Sequence, residues 1–184
     1  MHTIEKGIRR HIQGKKVLLL FTLTTIVYLT MILITIPKVM AYASGKPLLD
    51  IMPLGYDLAY VNALFDALGT KGRAAYLHEQ IPLDMIYPSL FAISYCLILS
   101  FFLNKLNKLK TTLIVLCLLP FVAGAMDYAE NIGIIALLND YPKISDRTVT
   151  ITSYFSLLKS MVTTLYFLIL ISSLVILGIK TLRK

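Results

Sequence analysis

Four stretches of this chain, residues 17–37, 82–103, 111–138 and 151–179, are apolar over a length that crosses a bilayer as an α-helix, for which about 20 residues suffice. Inside hydrocarbon every backbone N–H and C=O needs an internal partner, so a spanning segment is a helix or part of a closed barrel. Continuous apolar runs of this length have helical rather than strand character. The expected fold is all-α: an integral membrane four-helix bundle, with an extracytoplasmic amphipathic helical segment between spans 1 and 2, in one domain over residues 1–184. Only 15% of the residues are charged and 57% are hydrophobic, too little polar surface to clothe a soluble globule.

The net charge of +8 would suit a nucleic-acid partner in a soluble protein, but its distribution fits a membrane topology instead. The leader before the first span, the short connection at 104–110 and the tail after the fourth span hold eleven Lys and Arg against the single acid Glu5. The opposite side holds six basic and six acidic residues. Cytoplasmic loops carry the basic excess, which places both termini in the cytoplasm of a multi-pass protein of the cell membrane. A cleaved signal peptide competes for the first span, because Ala41-Tyr42-Ala43 resembles a processing site. A signal's apolar core is usually only about 7 to 15 residues, which favours a retained span. Cys96 and Cys117 lie inside apolar stretches without the spacing of a redox or zinc motif and read as packing residues.

Residues 38–81 are richer in Gly, Pro, Asp and Lys. Within them Leu58, Val61, Leu64, Phe65 and Leu68 recur at helical spacing, with Asp57, Asn62 and Asp66 on other faces and Gly69 as a stop. This predicts an amphipathic helix that lies on the membrane surface or caps the bundle. A second short helix is expected from about Thr70 towards Pro82, and Pro88 and Pro120 are expected to kink the second and third spans.

Four ionisable residues fall inside the spans: Asp84, Asp127, Glu130 and Lys159. A charge at the bilayer centre costs at least about 2.5 to 3.5 kcal/mol, so such groups turn inward and find partners. At 1.5 Å per residue, Asp127 and Glu130 lie about 12 to 16 Å below the end of the third span, and Lys159 about 12 Å below the start of the fourth. Asp127, Glu130 and Asn131 share one helix face, and Thr152, Ser156, Lys159 and Thr163 form a polar stripe on the fourth span. The two faces at one depth predict a pocket in which Lys159 pairs with Asp127 or Glu130, with Asp84, Tyr87 and Tyr28 at its rim. Bridging polar groups hold membrane helices together at about 0.6 kcal/mol per bond, which accounts for a lone Ser or Thr. Three carboxylates against one ammonium exceed what such packing needs, since an unmatched carboxylate must find a cation or a proton.

Arg73 and Tyr76 precede the second span and are expected to join the ligand-binding set, with the Arg73 fork suited to an anionic head group. His78 and Glu79 beside Asp84 match no dedicated metal motif, so neither metal nor cofactor is expected. The chain has no GxSxG, HExxH, P-loop or glycine-rich dinucleotide turn, which argues against serine hydrolase, zincin and nucleotide-driven pump. The segments LGTKGRAAYLHEQIPLDMIYP (68–88) and LPFVAGAMDYAENI (119–132) together resemble a pattern found in a family of small four-span bacterial membrane proteins. The resemblance implies the four-span architecture and a shared site of Gly72, Arg73, Tyr76, Asp84, Pro88, Asp127, Glu130 and Asn131, without implying an activity.

The expected function is binding or processing of a membrane lipid or other amphipathic ligand in an outer-leaflet pocket. In a catalytic version Asp127, Glu130 or Asp84 acts as acid or base while Lys159 holds another carboxylate ionised. Proton- or ion-coupled transport is the second class, and a non-catalytic partner or immunity-type protein, docking through residues 38–81, is the third. An oligomer is compatible with each. The topology has a direct test in single-cysteine chains whose Cys96 and Cys117 are replaced by serine. In intact cells Lys71→Cys and Lys143→Cys should react with a membrane-impermeant maleimide and Asn107→Cys should not; labelling at 107 would sink the layout.

Overall fold

The computed structural model of the protein describes residues 11–109 and 112–183. Glu5, Lys6, Arg9, Arg10, Lys110 and Lys184 of the charge pattern, and the expected start of the third span at 111, lie outside the described residues. All regular structure among the described residues is helical, and four helices are long and apolar enough to cross a membrane. We label the elements α1 (Gly14–Tyr42), α2 (Leu58–Ala75), α3 (Ile81–Lys105), α4 (Leu119–Asp140) and α5 (Asp146–Leu182). A 3₁₀ helix, Thr112–Leu118, leads into α4.

The proline positions explain most departures from ideal helix. A helical proline has no N–H for the carbonyl four residues back. Before Pro37 and before Pro82 the chain answers with a single π-turn, Met31–Thr35 and Tyr76–Gln80. In these turns the Ile36 and Ile81 N–H groups reach one residue further back, to the Met31 and Tyr76 carbonyls. The short helix expected to end before Pro82 therefore runs on into α3 without a break. Pro120 sits in the first turn of α4, where its missing N–H costs nothing, so the expected single helix from 111 divides into a 3₁₀ turn and α4. Pro88 stays inside α3 and leaves the Asp84 carbonyl without its helical donor; the Asn131 side chain supplies one from α4, at 2.9 Å.

Gly69 is the one sharp break in α2, with φ 60° and ψ −176°, a conformation that glycine alone adopts without strain. The break leaves carbonyls at the end of the first half unpaired, and the Arg73 guanidinium donates to one of them, Phe65 O, at 2.7 Å. Asp57 caps the other end, accepting from the Tyr60 N–H at 2.7 Å. Val61, Leu64, Phe65 and Leu68 are buried against α1, α4 and the start of α5, so the amphipathic helix caps the bundle rather than lying on a surface.

α3 and α4 form the centre; α1 packs on α3, and α5 packs on α4 and less on α3. The outward faces of α1 and α5 are apolar and exposed, with Leu19, Leu33, Met161 and Leu168 among them. One apolar cluster fills the end under α2, and a second fills the other half around Leu99, Cys117 and Tyr166. The buried ionisable groups lie between the two. Small residues set the central spacing: a Cβ on Gly124 would stand 3.0 Å from the Pro88 carbonyl, and one on Gly133 would stand 2.1 Å from Thr152 Oγ1 and 2.6 Å from its methyl. Gly133→Ala should therefore push α4 and α5 apart and cost about 1 to 3 kcal/mol. Gly178→Ala, where a Cβ meets nothing within 4 Å, should be neutral or stabilising by up to about 1 kcal/mol. Thermal unfolding in one detergent decides it, and equal effects at the two positions would refute the close-approach argument.

Candidate functional site

Ridge-to-ridge contact between α4 and α5 brings the two polar stripes face to face. Lys159 Nζ lies 3.1 Å from Asp127 Oδ1 and also touches Glu130 Oε2. Its third and longer contact is the Asp50 carbonyl at 3.4 Å. Sequence reasoning gave Lys159 one partner and left the other carboxylate free for chemistry; the ammonium in fact bridges both. It can do so because Asp127 and Glu130, three residues apart, stand one above the other on the same face of α4. Glu130 is fully buried, and its other oxygen accepts from the Ser156 hydroxyl one turn before Lys159 on α5.

Asp84 projects from α3 towards the same cluster. It is 4% exposed, and its Oδ2 has no hydrogen-bond partner among the described residues. The sequence placed it at the rim, whereas the structure buries it in the floor of the cavity. Asn131 is buried with it, its Nδ2 donating to the Asp84 backbone and its Oδ1 without a partner. Tyr28 of α1 and Tyr87 of α3 form the aromatic side of the mouth, their rings 5.7 Å apart.

Asp50 was not anticipated. It lies in a one-turn 3₁₀ helix, Leu49–Ile51, folded over the end of the bundle, and its carboxylate accepts from Tyr76 OH at 2.7 Å and Gln80 Nε2 at 2.8 Å. Gln80 in turn accepts from the Thr35 hydroxyl, so the two π-turns meet around this carboxylate. The available signal was the apolar run about Asp50: Leu48 and Leu49 are fully buried in what composition alone marks as a polar connection. Tyr76 thus joins the site through Asp50. Tyr56, which follows in the same loop, has a buried hydroxyl, and burial pushes its phenol pKa up, keeping it a neutral O–H.

Arg73 is not part of the site, contrary to expectation. Its guanidinium is taken by Phe65 O and stacks 4.3 Å from the Tyr141 ring centre, on the far side of α2. His78 and Glu79 also stay away from the carboxylates: both are exposed, and Glu79 pairs with Lys38 at 2.6 Å. Of the other residues implied by the resemblance, Gly72 packs against Tyr42 and Leu68, and Pro88 acts through the backbone at Asp84.

These groups surround a cavity of about 340 Å³. Asp84, Asp127 and Lys159 line its floor, and Asp50, Ile51 and Pro53 its capped end. Its apolar walls come from Met31, Ile32 and Ile36 of α1 and Phe91 of α3. The mouth faces sideways between α1 and α5, where Tyr28, Ile32 and Thr164 are partly or largely exposed. Such an arrangement can hold a ligand with an apolar body and a polar end, and a proton can move between that end and Asp84, a carboxyl held neither by Lys159 nor, as Asp50 is, by Tyr76 and Gln80.

Removing one partner of a buried ion cluster strands the others, at about 3 to 5 kcal/mol. Lys159→Met should lower the unfolding temperature in detergent accordingly, and adding Glu130→Gln or Asp127→Asn should recover part of the loss. Additive effects in both double variants would show that the contacts carry no coupling.

Comparison with family models, curated proteins and solved structures finds no match to this chain, which leaves the geometry of the site to carry the functional argument.

Proposed function

We propose that this chain is a multi-pass protein of the cell membrane, with both termini in the cytoplasm, whose polar cavity binds a lipid or another amphipathic molecule that arrives sideways from the outer leaflet. The eleven basic residues on one side of the spans support the orientation, since an excess of Lys and Arg marks cytoplasmic segments. One observation carries the ligand class: a buried ionic floor and apolar walls share one cavity, and its mouth faces the lipid-exposed flank between α1 and α5. A purely aqueous solute would meet Ile32, Ile36 and Phe91 on its way in; an amphiphile uses both kinds of surface.

Transport has weaker support. A relay needs polar groups to continue through the membrane. Beyond the ionic layer the centre is filled by Phe91, Tyr95, Tyr166 and Phe167 in mutual ring contact, and among the described residues no charged side chain follows them inside the bundle.

The reading is tested by what the protein keeps. Extracted with native lipid and exchanged through detergent, the wild-type chain should retain an amphipathic molecule detectable by mass spectrometry. Ile32→Trp, which fills the mouth from an exposed wall position, should lower retention about tenfold, equivalent to ~1.4 kcal/mol, with the unfolding temperature near normal. Equal retention by both chains would refute a lateral binding cavity.

A further inference from the structure

A second cavity, of about 500 Å³, lies in the other half of the molecule. It is lined by three of the helices that also line the first: Val17 and Phe21 from α1, Tyr95 and Phe101 from α3, Leu170 and Leu174 from α5. α1 runs towards the α2 cap, while α3 and α5 run away from it. On each helix the second set lies further from the cap than the first, which includes Tyr28, Tyr87 and Thr163. The two cavities therefore follow one another along one flank of the molecule, a lateral groove with α3 running beneath both. Phe91 and Tyr95, 4.5 Å apart, mark the join. From Asp84 to Phe101 the floor runs 17 residues, about 25 Å of helix, most of a hydrocarbon core of about 30 Å. The first stretch is polar on its floor, and the second is apolar throughout.

Charge decides what head group the polar stretch accepts. An ammonium has three donors, and those of Lys159 face Asp127, Glu130 and the Asp50 carbonyl. No other cation lines the cavity among the described residues, so an anionic head group would meet carboxylates and no uncommitted positive charge. A cation meets the opposite situation. Asp84 is more than nine-tenths buried, lines the cavity and has an oxygen without a hydrogen-bond partner among the described residues, and the aromatic rings of Tyr28 and Tyr87 line the cavity with it.

We propose that the groove takes a single-chain amphiphile with a cationic head, such as a protonated long-chain amine, its head against Asp84 and its tail laid past Tyr95 towards Phe101 and Leu174. The assignment rests on the reading of the cavity as an amphiphile site and adds the charge of the head and the path of the tail.

The test uses the full chain in nanodiscs of zwitterionic lipid and a hexadecylamine that carries a photoreactive diazirine near its tail end. Labelled peptides are read by mass spectrometry, with labelling at lipid-facing Leu19 as the internal reference for probe in the bilayer. Groove peptides containing Phe101 or Leu174 should be labelled above that reference. Unlabelled hexadecylamine should compete, and hexadecanol and hexadecanoic acid should not. Asp84→Asn should lower groove labelling by about tenfold or more, the loss expected for a charged hydrogen bond, and exposed Asp140→Asn should leave it unchanged. Leu174→Trp, at a partly exposed position in the apolar stretch, should lower it independently of the head. Equal competition by the acid or the alcohol, or full labelling of a folded Asp84→Asn chain, would overturn the cationic assignment while leaving an amphiphile site standing. Absence of competition by all three compounds would remove the groove together with the proposed function. Should Asp84→Asn not fold, the comparison of head groups on the wild-type chain still decides.

Discussion

One ammonium shared by two carboxylates sets the geometry of this molecule. Lys159 is taken out of water by apolar neighbours, and an isolated charge there would be far costlier than one matched by Asp127 and Glu130. To bring three charged groups together, α4 and α5 must approach closely and at one register. Gly133 opposite Thr152 makes the approach sterically possible, and Ser156 against Glu130 fixes the register one turn away. The remaining helices then arrange around that pair: α3 against α4 through Gly124 and Pro88, and α1 against α3 and, at its end, the α2 cap. The flank between α1 and α5 stays unclosed, and that is where the cavity lies.

Backbone accounting explains the rest of the layout. In hydrocarbon a carbonyl without a donor has no water to turn to, so each proline needs a local answer. The answers differ in consequence. The π-turns before Pro37 and Pro82 keep α1 and the α2–α3 connection continuous, and they bring Tyr76 and Gln80 onto Asp50, with Thr35 donating to Gln80. At Pro88 the freed carbonyl belongs to Asp84, and Asn131 is recruited to it. A backbone defect thereby holds the α3 carboxylate beside the α4 carboxylates. Side chains that read as site residues in the sequence, Asn131 above all, thus position the site through main-chain bonds.

Much of this was legible beforehand. Periodicity and length marked four apolar helices, because a helix in lipid depends on composition over a window and little on its neighbours. Helical arithmetic put Asp127, Glu130 and Lys159 at one depth, since rise per residue is fixed. Arg73 was misread for a related reason: a guanidinium near a suspected pocket invites a ligand, yet the break at Gly69 created a closer claimant in Phe65 O. Asp50 escaped notice because a three-residue 3₁₀ turn has too little periodicity to announce itself, and its donors, Tyr76 and Gln80, lie 26 and 30 residues away in sequence.

By itself, then, the amino-acid order determined the all-helical character of the chain, its four helices apolar enough to cross a membrane, and the shared level of its buried charges. These follow from local rules: hydrophobic length, helical rise and the spacing of side chains on one face. Tertiary structure alone decided that Lys159 bridges two acids instead of choosing one, that one oxygen of the buried Asp84 has no hydrogen-bond partner among the described residues, that Arg73 faces away, and that α1 and α5 leave a groove between them. Those outcomes depend on which helix faces meet and how closely, and that is set by contacts between residues far apart in the chain, where small side chains and freed carbonyls select one packing from many.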